Sequence, residues 1–426
     1  MKNSGIEWIG KIPDSWKLER LQWHLVEIKE SNSPIKTMQV LSLTNKLGVV
    51  PYEQKGEQGN KSKENYEEYK VAYPQTIVAN SMNILIGSVG VCNYLGCVSP
   101  VYYVFKPIEN ENIDFLNYVF QLTEFQKELR KYASGILEIR LRLSASDILK
   151  RKVAFPSRKE QNRIVECLSK KLGEVDKLID VQQAQIDKLK EYKQAIITEA
   201  VTKGLDPTVP MKDSGVEWIG RIALVNHIEK LKFLLSAPMQ YGANESGTKD
   251  SSEGIRYIRI TDITDGNTLK DSEDNMYLPR SLAEGYILGD QSILFARSGG
   301  TVGKTFIYDI KYGQSAFAGY LIKAECDREK LFPWFLAYYT QSSIYDLWKN
   351  SIFIQATIQN IGATKYSNME VVVPPLEKQK SIISYLNGKC FKIDKLIALK
   401  QSKIEKLQEY KKSLIYEYVT GKKEVL

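Results

Sequence analysis

Two stretches of this chain carry apolar residues at alternating steps of four and three, and the stretches are copies of one another. The first runs Leu168, Leu172, Val175, Ile179, Ile186, Leu189 and Ile196, with polar Gln182 and Lys193 at the intervening steps. The second runs Leu386, Cys390, Ile393, Ile397, Ile404, Leu407 and Leu414, with Lys400 and Lys411 at the polar steps. The copies align without a gap at an offset of 218 residues, so Asp176-Lys177-Leu178-Ile179 falls on Asp394-Lys395-Leu396-Ile397. A period of about 3.5 residues predicts two long helices that supercoil as a pair, with these apolar positions as their interface. Polar residues on such a seam lower stability and set register. Each run spans roughly 60 Å at about 1.5 Å per residue, the length of a spacer.

Elsewhere the period shortens. Residues 13–156 contain the β-like pieces "TMQVLSL", "QTIVAN", "VGVCNYL" and "PVYYVFK", then a helical patch, "DFLNYVFQLTEFQKELRKYA". Residues 223–374 repeat that order with "IRYIRITDI", "SILFARS", "KTFIYDI" and "AGYLIKAE" before "LFPWFLAYYTQSSIYDLWKN". Both regions close on a Val-rich run and proline, "RKVAFP" and "MEVVVPP". A second repeat opens each half: "MKNSGIEWIGKI" at 1–12 matches "MKDSGVEWIGRI" at 211–222, at an offset of 210. Repeats this large predict a duplicated unit with pseudo-two-fold symmetry, not a solenoid. The linker "GLDPTVP" has the Gly-then-Pro order that follows a helix C-terminus. Ser157 and Glu160 have capping-box spacing at the first helix start, and Pro375 suits the first turn of the second. In this arrangement the N-terminal box can sit beside the end of the second helix.

The chain therefore reads as an α+β protein in four parts: a globular region with its box (1–156), a spacer helix (157–204), a linker, second box and second globular region (205–374), and a second spacer helix (375–426). The two globular regions share little identity between their edges. A common frame with divergent contents suggests one fold used for two specificities.

At 426 residues the chain exceeds a single core. A formal charge of +8 suits a polyanionic partner such as nucleic acid, although many other proteins share it. Five cysteines without a CxxC pair, and only His24 and His227 beside them, argue against a zinc site. The N-terminus has no apolar core of a signal peptide, which points to the cytoplasm. Val71 to Phe105 is uncharged, but its prolines, glycines and asparagines break it into pieces that read as buried strands rather than a membrane span.

"RSGGTVGKT", Arg297 to Thr305, nearly matches a phosphate-binding P-loop, but Ser298 stands at the first glycine position. The following "FIYDI" is strand-like, whereas a P-loop opens a helix. A glycine turn meeting a DNA phosphate, with Arg297 and Lys304 adding charge, and a bare β-turn without a ligand both remain open. "GSVGV", Gly87 to Val91, is the looser counterpart in the first half. Amide and guanidinium side chains in or beside the loops expected between the strands can bond bidentately to base edges. The candidates are Asn45, Lys46, Asn80, Asn83, Arg140 and Arg142 in the first half. In the second they are Arg256, Arg259, Arg297, Ser298, Lys304, Gln314 and Gln355. Each also has a solvated or turn-capping reading. Motifs for amino-methyl transfer, a nucleophile elbow, HExxH and a dinucleotide fingerprint are missing, so no catalytic or metal residue is assigned.

"SGIEWIGKIPDSW", the second "SGVEWIG", "VVVPPLEKQKSIISYL" with "VAFPSRKEQNRIVECL", and the internal strings "YIRITDI", "ILFARSGGTVGK" and "GCVSPVYYVF" together resemble the specificity subunit of type I restriction–modification systems. The resemblance covers essentially the whole chain. It implies two target-recognition domains, each reading half of a bipartite site in double-stranded DNA, held apart by two antiparallel helices. It also implies that the helices dock two modification subunits that methylate adenine with S-adenosylmethionine. Two restriction subunits that use ATP with magnesium would join them, leaving this chain without catalysis or cofactor. The chain departs from the pattern where "PDSW" becomes "ALVN", so Trp16 has no equivalent, and where "PSRKEQ" stands for "PPLEKQ". A coiled-coil adaptor with two protein-binding modules is the alternative, and it predicts no salt-sensitive DNA affinity. A stand-alone nucleotide-dependent enzyme would instead bind ATP at Lys304.

Overall fold

The computed structural model describes residues 1–44, 48–55, 65–108, 111–134, 141–252, 254–264, 268–270, 274–354 and 360–425. The chain divides into two compact units, Met1–Gln183 with Gln401–Leu426, and Ala184–Lys400. The two long helices form as Arg158–Lys203 and Leu376–Val419, and each contributes one stretch to each unit.

The stripe buries Leu168, Leu172, Ile186, Leu386, Ile393, Ile404 and Leu414, and half-buries Ile179, Leu189, Ile397 and Leu407. Ile196 is likewise half-buried, and there its neighbour Ile197 is also buried, in the core of the second unit with Ile219 and Ile222. An α-helix drifts about 20° per heptad against a strict seven-residue repeat. By its last turns the first helix has exchanged a partner helix for a globular core. The polar steps bridge the helices. In the second unit Lys193 Nζ lies 2.7 Å from Asp394 Oδ1 and Lys400 Nζ donates to Gln185 Oε1. In the first, Lys411 pairs with Asp176, the equivalents of Lys193 and Asp394 at the 218-residue offset. These pairings run the helices antiparallel within each unit.

In the first unit a four-stranded antiparallel sheet has the order Leu25–Ile28, Tyr102–Pro107, Thr76–Asn80, Val89–Cys92. Alternation along the strands supplies two cores. Ile77, Ala79 and Phe105 face Phe115, Leu116, Phe120, Phe125 and Leu129 of the helices Ile113–Gln121 and Thr123–Arg130. Val78 and Val104 face Leu41, Val49 and Val98. The second unit repeats the arrangement with Gln240–Tyr241, Leu321–Ala324, Ile293–Ala296 and Thr305–Ile307. There Ile293, Phe295 and Ile322 join Phe335 and Leu336 of the helix Pro333–Tyr339, while Leu294, Phe306 and Leu321 face a separate core. A three-stranded sheet, Met276–Pro279, Gly254–Ile258 and Ser315–Phe317, has no counterpart of the same form in the first unit's described residues. The uncharged Val71–Phe105 stretch is divided among short strands, and among the described residues no helix is long and apolar enough to cross a membrane.

One buried glutamine ties each long helix to its globular core. Gln161 Oε1 accepts the Asn112 N–H at 3.0 Å, and its Nε2 donates to Glu111 Oε2 and the Pro156 carbonyl. Gln379, its equivalent at the same offset, accepts the Phe332 N–H at 2.9 Å and donates to the Lys330 and Pro374 carbonyls. Asn112 and Phe332 are the N-cap residues of Ile113–Gln121 and Pro333–Tyr339. The glutamine thus satisfies a partly buried backbone donor at a helix start that would otherwise lack an acceptor.

The first helix start differs from a full capping box. Ser157 Oγ accepts the Glu160 N–H at 3.4 Å, but the Glu160 carboxylate accepts from Trp16 Nε1 at 2.9 Å. Pro375 lies just before the second helix, where its carbonyl accepts the Gln379 N–H. The N-terminal box does meet the end of the second long helix. Tyr416 donates its hydroxyl to the Trp8 carbonyl, Lys422 Nζ reaches the Ile9 carbonyl, and a Cβ on Gly421 would touch Pro13 and Trp16. In the second unit Asn226 occupies Trp16's place and donates to the Thr202 carbonyl at 3.0 Å, closing the first long helix. Two different side chains therefore do one job, the covering of a helix C-terminus.

Candidate nucleic-acid interface

Each unit ends its central strand in a turn of the same backbone course. In the second unit the Ala296 N–H bonds the Lys304 carbonyl and the Arg297 N–H bonds the Tyr320 carbonyl. In the first, the Asn80 N–H bonds the Ser88 carbonyl and the Ser81 N–H bonds the Val101 carbonyl. Ser81 thus stands where Arg297 stands, Ser88 where Lys304 stands, and Gly87 where Gly303 stands. Both glycines are left-handed, with φ of 84° and 83°. A Cβ on Gly303 would lie 2.3 Å from Lys349 Cδ. The counterpart of the second glycine turn is therefore Ser81–Ser88, reaching upstream of the "GSVGV" string. The latter contributes Gly87 and then the strand Val89–Cys92.

The turn in the second unit is followed by the strand Thr305–Ile307, not a helix. It therefore lacks the row of helix N-terminal amides on which a P-loop depends. Two buried phenols hold it from beneath: Tyr345 donates to the Gly303 carbonyl at 2.7 Å and Tyr366 to the Ala296 carbonyl at 2.8 Å. Burial pushes both phenols well above the usual tyrosine range, so they remain donors. In the first unit that support comes from amides. Gln121 donates to the Val89 carbonyl, and the amide of Gln126 packs against Gly87.

Arg297, Ser298 and Lys304 come together in this turn. The Arg297 carbonyl accepts the Ile361 N–H at 2.9 Å, Ser298 forms a β-bridge with Asn360, and the guanidinium lies 5.0 Å from the Tyr241 ring centre. Tyr241 is anchored by the Ala363 N–H, which its hydroxyl accepts at 2.9 Å. The buried Arg297 Nε, Thr301 Oγ1 and Asn360 Oδ1 have no hydrogen-bond partner among the described residues. The remaining cations are differently placed. Arg259 is bound through Nε and Nη2 to the buried Asp262 carboxylate and to the Asp274 carbonyl. Arg256 donates to the Lys270 carbonyl and Asn275. Both guanidinium groups thus serve internal acceptors. Gln314 is exposed at the start of Ser315–Phe317, whose far end leads to Tyr320 and the turn.

In the first unit Asn83 is exposed within the equivalent turn, and Asn80 is buried with its Oδ1 accepting the Met82 N–H. Arg142 is exposed and pairs its backbone with Ser134, whereas Asn360, its equivalent at the 218-residue offset, pairs with the turn. Asn45, Lys46, Arg140 and Gln355 lie outside the described residues. Tyr241, Asn360 and Ser81 escaped the sequence reading. Only the spacing of Gly87 and Gly303 ahead of a strand marks the two turns as equivalent in sequence.

Two units of one build, each presenting a strand-end turn with different side chains, define a duplicated scaffold with variable turns. The family model of the type I restriction modification DNA specificity domain matches residues 13–191 and 243–409, and the chain belongs to that family. The chain is 22% identical over 275 residues to the type I restriction enzyme StySPI specificity subunit of Salmonella potsdam, covering 63% of this chain and 57% of that protein. It is 24% identical over 281 residues to the MjaVIII specificity subunit of Methanocaldococcus jannaschii, covering 64% and 62%. The chain thus spans about three-fifths of the length of these relatives. A solved chain of a type I R-M system superimposes with a TM-score of 0.70 at 12% identity, over 96% of this chain and 98% of that one, a likeness of fold.

Proposed function

We propose that this chain is the DNA sequence-specificity subunit of a type I restriction–modification complex and carries no catalysis of its own. The recognition domains are the globular parts within 1–156 and 205–374, each reading one half of a bipartite target. The carrying observation is the pair of turns, Ser81–Ser88 and Arg297–Lys304, set in one backbone frame with different side chains. Two equivalent readers with unlike contents suit two unlike half-sites. The DNA-facing residues are drawn from the candidates above, with Arg297, Ser298, Lys304 and Asn83 favoured by their place in the turns.

The long helices fix the reader spacing and dock the modification subunits. Six of the apolar side chains left exposed on them fall in three equivalent pairs, Leu178 with Leu396, Val181 with Leu399, and Tyr192 with Tyr410, whereas exposed Phe391 falls on Gly173. Surfaces repeated at one offset suit two copies of one partner. Those partners would use S-adenosylmethionine, and restriction subunits ATP with magnesium.

The test is to exchange residues 13–156 for the same part of another family member and sequence the methylated sites of a host carrying the complex. One half of the methylated sequence should change. A change in both halves, or no sequence preference in the parent, would refute the reading.

A further inference from the structure

We propose that Arg297 is a specificity-determining residue of the second unit, its two Nη groups reading a base edge with two adjacent acceptors, as guanine presents through O6 and N7 in the major groove. The inference rests on the DNA-recognition reading and assigns it a residue and a base.

The Arg297 side chain is held from its backbone outward. Its backbone is fixed on both sides, through the Tyr320 carbonyl and the Ile361 N–H. Its guanidinium lies 5.0 Å from the centre of the Tyr241 ring, and that ring is itself pinned by the Ala363 N–H. An arginine held against an aromatic face presents its planar fork with less freedom to lose on binding. Among the described residues this guanidinium makes no hydrogen bond or ion pair, in contrast to Arg256 and Arg259. A half-buried guanidinium without an acceptor is unusual, because desolvated donors in folded proteins are paired.

Nε is fully screened from solvent, so the ligand contact falls to the Nη pair. Asn360, bridged to Ser298, carries a buried Oδ1 that lacks a donor among the described residues, as Nε there lacks an acceptor. In the first unit Ser81 occupies the same backbone position and has no fork to offer. The two units should therefore read different bases there.

The experiment enriches bound duplexes from a library of randomised double-stranded DNA, using the full chain assembled with its modification subunit. Arg297→Lys keeps the charge and most of the packing but loses the fork; Arg297→Ala and Tyr241→Ala are made beside it. All three should lose roughly ten- to hundredfold discrimination at one G·C position in one half-site and keep the remaining positions. Full retention of the motif by Arg297→Lys, with a uniform loss of affinity and a salt slope lower by about one in Arg297→Ala, would make this a phosphate contact and overturn the inference. An unchanged motif in every variant would also overturn it. Failure of the wild type to enrich any motif would sink the DNA-recognition reading instead.

Discussion

Replacing Gln379 by leucine should separate the second long helix from the globular core it carries. Gln379 is completely buried and makes three hydrogen bonds, to the Phe332 N–H and to the Lys330 and Pro374 carbonyls, each at 2.9 Å. Leucine fills similar volume, so the cavity contribution is small and the polar loss dominates. Each neutral hydrogen bond contributes about 1 kcal/mol net, and a buried donor left without an acceptor costs about 1–3 kcal/mol. The partly buried Phe332 N–H would lose its acceptor, at the start of Pro333–Tyr339. The expected destabilisation is about 3–4 kcal/mol. Urea titration followed by circular dichroism measures it. Amide exchange resolved to Phe332–Leu336 localises it, with protection falling there first. A loss below about 1 kcal/mol, or unchanged protection at that helix start, would refute the tie. Gln161→Leu should cost a similar amount in the first unit, since Gln161 also makes three bonds, one of them to the Glu111 carboxylate.

Two further outcomes are expected. The Lys193–Asp394 bridge is partly exposed, so Lys193→Asp should cost no more than about 1 kcal/mol, recovered by adding Asp394→Lys and abolished in concentrated salt; a loss that the double variant leaves in place, read by thermal unfolding, would deny its role in register. Burial raises the Glu111 carboxyl, but hydrogen bonds from His24 and Gln161 outweigh it and hold the group below the usual glutamate range. A depressed carboxyl stabilises the fold above the unfolded-state value and loses that contribution as pH falls through the folded-state value. Acid unfolding below about pH 4.5 should therefore be less steep in Glu111→Gln, measured by circular dichroism, and an unchanged profile would contradict the arrangement.

Much of the architecture could be read from residue order. The heptad stripe foretold both long helices and most of their interface, since a period written into the chain is a local property. The Val-rich pieces became strands for the same reason. Beside half-buried Ile196 the stripe did not foresee that Ile197 is buried, because the core the helix meets there comes from residues 219–222 and beyond. The capping box at Ser157 was half right, since Glu160 found a distant indole to accept from.

The sequence alone determined the duplication, the long helices, the strand-rich regions and the glycine turn as a place of interest. Only the tertiary structure decided which candidates are committed. Arg256, Arg259 and Arg297 look alike in sequence, yet the first two spend their guanidinium groups on internal acceptors and the third lies against Tyr241 with none among the described residues. The equivalence of Ser81 with Arg297 came likewise from hydrogen bonds, not from similarity. The reason is physical: helical and strand periods arise from neighbours a few residues apart, whereas pairing, burial and the freedom of a side chain are set by partners that folding brings from far along the chain.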